Sequence, residues 1–477
     1  GMEIARTLGG WQMHYDQTLE ISTFYAEVLY CSGDQEMCFE ITDEILKNAT
    51  ENSDAFPALR FKVHCCYNLG RDKEGNRLAS TALKQLGFPF PRNKVLAAAW
   101  ALKNVAQLKA VAREITEEKL LKMPVLEDEN VLKAVQFYWA LFEMAAVKAD
   151  MVLQAFVMVV MIKITLKYGN HDFSAVALTS LAMIMAFSGD YEEADRIGQI
   201  AMKFSDEVEG PPKVLCLIGN CFFNFHWKHP LTNTLDMTLK AKEIVLSTGN
   251  IPMMFIASMT YTLNYIQSGL SLEPLSRDVS RLSEMLRDLN LRIFDQLFES
   301  AAQFVLNLTG KANGNPTELN GAVLLDRDAS LKSYKSDNNM RATNSVYLFR
   351  MMMAYILDDV DLALKMSSQL YSAAMEGPSA LLPFRFFFQG LVALSGAKKI
   401  KGTEIFGLLE RRSTLPAQIE TNVEEGVREC LPFCVALRGG DCLHGAWERV
   451  DCRSAGIRQS YQHSSKAWSL QRASHGE

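Results

Sequence analysis

GDYEEADRIGQIAMKF, running from Gly189 to Phe204, is the stretch on which the fold reading turns. Counting Gly189 as zero, positions +5, +8, +9 and +12 are Ala194, Ile197, Gly198 and Ala201. Steps of three and four residues gather these side chains on one face of a helix. Three of the four are small, so a neighbouring helix can approach closely there. Gly189 can take φ > 0 and so end the helix before it. Asp190 can then accept hydrogen bonds from free N–H groups of the next first turn, and Glu193 completes a capping-box-like pair. The stretch predicts the turn and second helix of a helical hairpin.

The same register recurs. From Gly33 it gives Cys38, Ile41, Thr42 and Ile45, with Asp34 standing where Asp190 stands. From Gly70 it gives Gly75, Leu78, Ala79 and Ala82. From Asp358 it gives Ala363, Met366, Ser367 and Leu370, but the turn glycine is missing, which weakens that cap. From His229 it gives Thr234, Met237, Thr238 and Ala241. Gly33 to Gly70 is 37 residues and Gly189 to His229 is 40. The wider gaps hold whole numbers of units of roughly 40 residues, the period of tetratricopeptide-like and related helical solenoids. The fold expected is all-α: a tetratricopeptide-like solenoid of stacked hairpins. The alternative is a non-repetitive helical bundle.

Outside these copies, three- and four-residue apolar periodicity runs from residue 16 to about 410. Val95–Arg113, Asn130–Met144 and Ser174–Phe187 read as helices, with prolines at the junctions. The organisation expected is a helical-repeat region over 16–310, a polar loop or linker over 311–344, further repeat units over 345–412, and a tail over 413–477. The tail turns Arg-, Gly-, Cys- and Ser-rich, and a disordered segment is expected there. The apolar run Met151–Ile162 is twelve residues, short of the roughly 20 a membrane span needs, and reads as a buried core helix.

At 477 residues and 48% apolar composition the chain has material for a large core, which excludes wholesale disorder. A net charge of −6 gives no general attraction to nucleic acid or anionic lipid. Ten cysteines are too few for a disulfide scaffold, and no secretory signal precedes the first helix. A cytoplasmic protein without nucleic-acid partner or membrane insertion is expected. Gly1-Met2 reads as a cloning scar or the cut edge of a longer protein.

Catalytic patterns are missing from the sequence. There is no GxxxxGK[ST] phosphate loop, no kinase HRD and DFG set, no GxSxG elbow and no HExxH helix. Cys216, Cys221, His226 and His229 would be the members of a Cys/His metal cluster, but they read better as the surroundings of a helix start, with Pro230 just after. Cys430, Cys434, Cys442 and His444 have no standard zinc spacing. Cys65-Cys66 read as buried thiols, and the methionines, Met351–Met353 included, as core filling. No cofactor and no metal are expected.

Several stretches carry a family resemblance. They are the Gly189 motif, NFHWKHPLTNTLDMTLKAKEIVLSTGNI from Asn224, NYIQSGLSLEPL from Asn264, LKYGNHDFSAVALTSLAMI from Leu166 and LGFPFPRN from Leu86. Together they resemble the helical middle region of large multidomain signalling proteins of bacteria and some protists. In those, a serine/threonine protein-kinase domain, an AAA/STAND-type ATPase domain, this tetratricopeptide-like region, then GAF and histidine-kinase or cyclase domains follow in order. The resemblance covers roughly residues 16 to 410 and implies a non-catalytic scaffold or regulatory module for protein or interdomain contacts. It also implies the alternative, a fragment of an ATP-dependent hybrid signalling kinase whose catalytic domains lie elsewhere. No catalytic residue of that family falls in the matching region, and the tail lies outside it.

Overall fold

The structure is a computed structural model and describes residues 9–88, 90, 93–147, 150–288, 292–312, 315–337, 339–370 and 379–399. Among the described residues there are twenty α-helices and no strand beyond one isolated bridge, Val125 to Asn170. Several helices start where the sequence supplies a cap. The side chains of Asp34, Asn93, Asp150, Asp190, Asn250, Asn339 and Asp359 each accept a hydrogen bond from a first-turn backbone N–H.

The first helices are α1 (Gly10–Met13), α2 (Tyr15–Ser32), α3 (Gln35–Asn48), α4 (Asn52–Asn68) and α5 (Asp72–Gln85). Next come α6 (Lys94–Glu114), α7 (Glu117–Leu121), α8 (Glu129–Val147) and α9 (Met151–Tyr168). They are followed by α10 (Ser174–Phe187), α11 (Tyr191–Asp206) and α12 (Pro211–Gly219). A π turn over Asn220–Asn224 and a 3-10 turn over Phe225–Trp227 prolong α12. Then come α13 (Leu231–Thr248), α14 (Ile251–Gln267), α15 (Leu272–Asp288) and α16 (Arg292–Leu308). The last are α17 (Arg327–Ser336), α18 (Met340–Ile356), α19 (Val360–Gln369) and α20 (Leu381–Lys399).

Two kinds of contact organise them. Sequence neighbours pair, as in α3 with α4, α10 with α11, α13 with α14, α15 with α16 and α18 with α19. Alternate helices also touch: α2 with α4, and then α10, α12, α14, α16, α18 and α20 each with the next of that series. The chain bends enough that α2 meets α14. Three apolar cores result, one over residues 26–66, one mainly over 56–257 and one over 255–392.

Most positions of the repeat register are buried, while Leu78, Met237, Ser367 and Leu370 are half-buried. Cys38, Ile45, Ala194, Ile197, Ala201 and Ala363 are all completely inaccessible to solvent or nearly so. A Cβ on Gly198 would lie 2.9 Å from the Phe225 ring, and one on Gly75 would lie 2.6 Å from the Tyr67 ring. Both glycines therefore mark places where helices are in close contact. The turn residues Gly33, Gly70 and Gly189 have φ of 86°, 74° and 78°. At the turn without glycine, Asp358 takes that left-handed conformation itself, with φ 64°.

The run Met151–Ile162 continues to Tyr168, so α9 has 18 residues and is, by length and composition, the one described helix able to cross a membrane. It extends beyond the expected run because Ile164 and Leu166 carry the apolar helix past Lys163 to the turn at Gly169. Val157, Val159, Met161 and Ile162 are buried, and α9 packs against α6, α8 and α10. The segment 311–344 holds a 3-10 turn at Pro316–Glu318, α17 and the first turn of α18. The Gln303 carboxamide oxygen accepts from the backbone N–H groups of Val323 and Leu324, both at 3.0 Å, and ties this segment to α16. The tail 413–477, with Cys430, Cys434, Cys442 and His444, lies outside the described residues.

Candidate functional site

A cavity of about 230 Å³, partly open to solvent, lies between the helices. Aromatic and aliphatic side chains form most of it: Trp139 and Phe142 from α8, Met183 from α10, Leu215 and Ile218 from α12, Ile256 and Met259 from α14. Tyr30 of α2, His64 and Tyr67 of α4, and Arg341 of α18 complete the rim and floor. Such a concave, mainly apolar volume with a few polar groups is the usual form of a binding site.

The π turn shapes this wall. One extra residue in the turn brings adjacent Phe222 and Phe223 both onto the cavity, their rings 5.0 Å apart and edge to face. A buried polar ladder holds the turn. Asn220 Nδ2 donates to Thr179 Oγ1 at 3.0 Å and to the Cys216 carbonyl at 2.9 Å, and Asn224 Nδ2 donates to Asn220 Oδ1 at 2.8 Å. The Phe222 carbonyl accepts from Ala380 N–H at 2.8 Å, so the residue before α20 braces the turn from the other side.

The four residues considered as a metal cluster lie around this turn but do not converge. Among the described residues no three His, Cys, Asp or Glu side chains gather as a ligand set. Cys216 Sγ is engaged within the ladder, donating toward the Ala201 carbonyl and accepting from Thr179 Oγ1. Burial pushes its thiol up to about 11 and that of Cys221 higher still, so both stay protonated. His226 is buried beside the Trp227 ring with neither ring nitrogen hydrogen-bonded among the described residues, and desolvation lowers its pKa to about 3. His229 Nε2 lies 2.7 Å from Asp195 Oδ1, across to α11. Cys65 and Cys66 are fully buried and unbonded as a disulfide.

The repeat residues, by contrast, are brought into one system. Gly33, Gly189 and Asp358 each sit in a turn where the following aspartate N–H reaches back to a carbonyl five residues earlier: Leu29, Met185 and Ala354. One more unit of this kind escaped the sequence reading. Gly269, φ 73°, precedes α15, whose Leu275, Ser276, Val279 and Ser283 are buried. Counted from Gly269 these four fall at +6, +7, +10 and +14, so a fixed +5/+8/+9/+12 search does not find this helix. Compared with protein-family models and with curated proteins, the chain matches none.

Proposed function

We propose that this chain is a non-catalytic helical-repeat scaffold for protein-protein or interdomain contacts in cytoplasmic signal transduction. On this reading the helices form a tetratricopeptide-like solenoid, and the likeness of the quoted motifs to multidomain signalling proteins reflects a shared role. The observation that carries the proposal is the contact of alternate helices from α10 to α20, of which α10, α12, α14, α16 and α18 contribute side chains to one cavity. A hairpin in such an array cannot cover its own apolar face, so each unit is completed by the next and the array presents an extended concave surface. A partner segment bound there would be coupled to the packing of several units at once.

The test is made on the purified chain. Small-angle scattering should give a curved, elongated particle, and the profile of a compact sphere would overturn the repeat architecture. Calorimetric titration with Mg-ATP should give no saturable heat up to about 1 mM. Micromolar ATP affinity would replace the scaffold by the second reading, a piece of an ATP-dependent signalling kinase.

A further inference from the structure

The cavity lined by α8, α10, α12 and α14 is a volume that no described side chain fills. Protein interiors are close-packed, and voids larger than a water molecule are few. At about 230 Å³ this one exceeds the apolar cavity of roughly 150 Å³ known to accept benzene, which in proportion leaves room for about nine carbon atoms. It is partly open to solvent, so a molecule has a way in.

The lining decides what chemistry the volume accepts. Rings come from Trp139 and Phe142 on α8, their centroids 5.2 Å apart, and from Phe222 and Phe223 in the π turn. Met183 and Met259 add polarizable thioethers, which pack well against aromatic rings. Most of the polar side chains in the lining are already committed to the protein. Thr179 Oγ1 is bonded to the Ala175 carbonyl at 2.9 Å, and Ser180 Oγ donates to the Val176 carbonyl at 3.0 Å. Asn68 Nδ2 donates to Gln35 Oε1 at 3.1 Å, and the Tyr67 hydroxyl is sealed off, so Tyr67 serves the cavity through its ring. His64 rests against the Tyr30 ring, centroids 5.3 Å apart, and Arg341 is engaged within the protein. The described lining holds no aspartate or glutamate. A charged molecule entering this volume would lose its water and gain no partner, and a peptide main chain would leave its amides unpaired. An uncharged apolar molecule loses nothing of the kind and gains the burial of its surface.

We propose that the cavity binds one uncharged, compact apolar molecule of two-ring size, packed against Trp139, Met183, Phe223 and Ile256. The inference goes beyond the scaffold reading and does not depend on it, because the cavity can be filled whether or not a protein partner docks on the wider surface. It gives the module a chemical input: a ligand touching α4, α8, α10 and α14 together would stiffen their mutual packing.

The experiment is calorimetric titration of the full chain with naphthalene, kept below its solubility limit. One equivalent should bind, with Kd on the order of 10 µM. 1-Naphthoate and 1-naphthylmethylammonium carry the same rings with a negative or a positive charge, and both should bind at least about tenfold more weakly. Saturating naphthalene should raise the melting temperature of the chain, because it binds the folded state alone. Ile256→Trp, at a half-buried wall position, should fill the volume and abolish binding, and Met259→Trp serves the same purpose if that variant fails to melt like the parent. No saturable heat with naphthalene, several equivalents bound in place of one, equal or tighter binding of either charged analogue, or binding that survives both filling substitutions would each overturn the proposal. None of these results bears on the scattering profile or the Mg-ATP titration, so the scaffold reading and this one fail separately.

Discussion

Asp358 shows what a turn between these helices demands of one residue. Gly33 and Gly189 meet the demand without cost, having no Cβ to strike the following carbonyl. Asp358 meets it at φ 64°, strained, and still lets Asp359 cap α19 by accepting from Leu362 N–H at 3.0 Å. Its side chain is exposed. Asp358→Gly should therefore stabilise the protein by about 0.5 kcal/mol, the relief of strain being partly offset by a more flexible unfolded chain. Chemical denaturation measures this directly, and a loss of stability would mean that the carboxylate has a role the turn geometry does not explain. His226 carries the second residue-scale prediction. Its folded pKa of about 3 lies below the ordinary 6.5, so the unfolded state takes up the proton first. Its contribution to stability is whole above pH 6.5 and drains away as the pH falls toward 3. His171, lowered to about 4 by burial, acts in the same sense. Glu299, raised by burial to about 8, acts in the opposite sense but cancels when one substitution is compared with its parent. His226→Phe should accordingly lose about 1–2 kcal/mol less than the parent on going from pH 7 to pH 5. Parallel denaturation curves at the two pH values would refute it.

At the scale of elements, caps and register were legible because their causes are local. Asp34, Asp190 and Asn250 announce helix starts through chemistry confined to one turn, and Ala194, Ile197, Gly198 and Ala201 declare a buried face through spacing alone. What was not legible is how distant helices are tied together. The end of α6 is a case. Arg196, on α11, donates from Nη1 to the Ile115 carbonyl and from Nη2 to the Ala112 carbonyl, both at 2.7 Å, while its Nε donates to Glu193 at 3.0 Å. It thereby satisfies the Ile115 carbonyl just past α6 and gives a second donor to the Ala112 carbonyl, which also accepts from Ile115 N–H. No sequence pattern connects residues 196 and 112. Likewise the polar composition of 311–344 gave no sign that Gln303 would anchor it, because that anchoring is made by two backbone N–H groups whose residue types are irrelevant to the bond. Arg196→Met keeps the side-chain stem and removes the cap, and should cost about 1–3 kcal/mol. Hydrogen exchange should locate the loss in the last two turns of α6. If α6 exchanges as before, the cap is not what holds its end.

For the molecule as a whole, the cavity was beyond the sequence for a reason of the same kind. Its wall takes between one and four residues from each of several helices, from Tyr30 to Arg341, and none of them stands out in the sequence of its own helix. Only the bend that brings α2 against α14 makes them neighbours. That bend also bears on how the chain should unfold. A compact fold with one core answers any core lesion as a unit, whereas a row of units answers nearest the lesion and less with distance. The core over 26–66 is the smallest of the three, and Ile45 lies at its centre, fully buried. Leaving a cavity there with Ile45→Ala should cost about 2–4 kcal/mol. In a stacked array the penalty stays with α2, α3 and α4, whose amides should lose protection by up to about a hundredfold, while those of α18 keep theirs within a factor of about two. Among the described residues the first helices meet the later ones chiefly through the contact of α2 with α14, so little of the lesion should travel. Hydrogen exchange read across the chain decides between the alternatives. An equal loss of protection in α3 and α18 would show one indivisible core, and the solenoid would give way to a helical bundle.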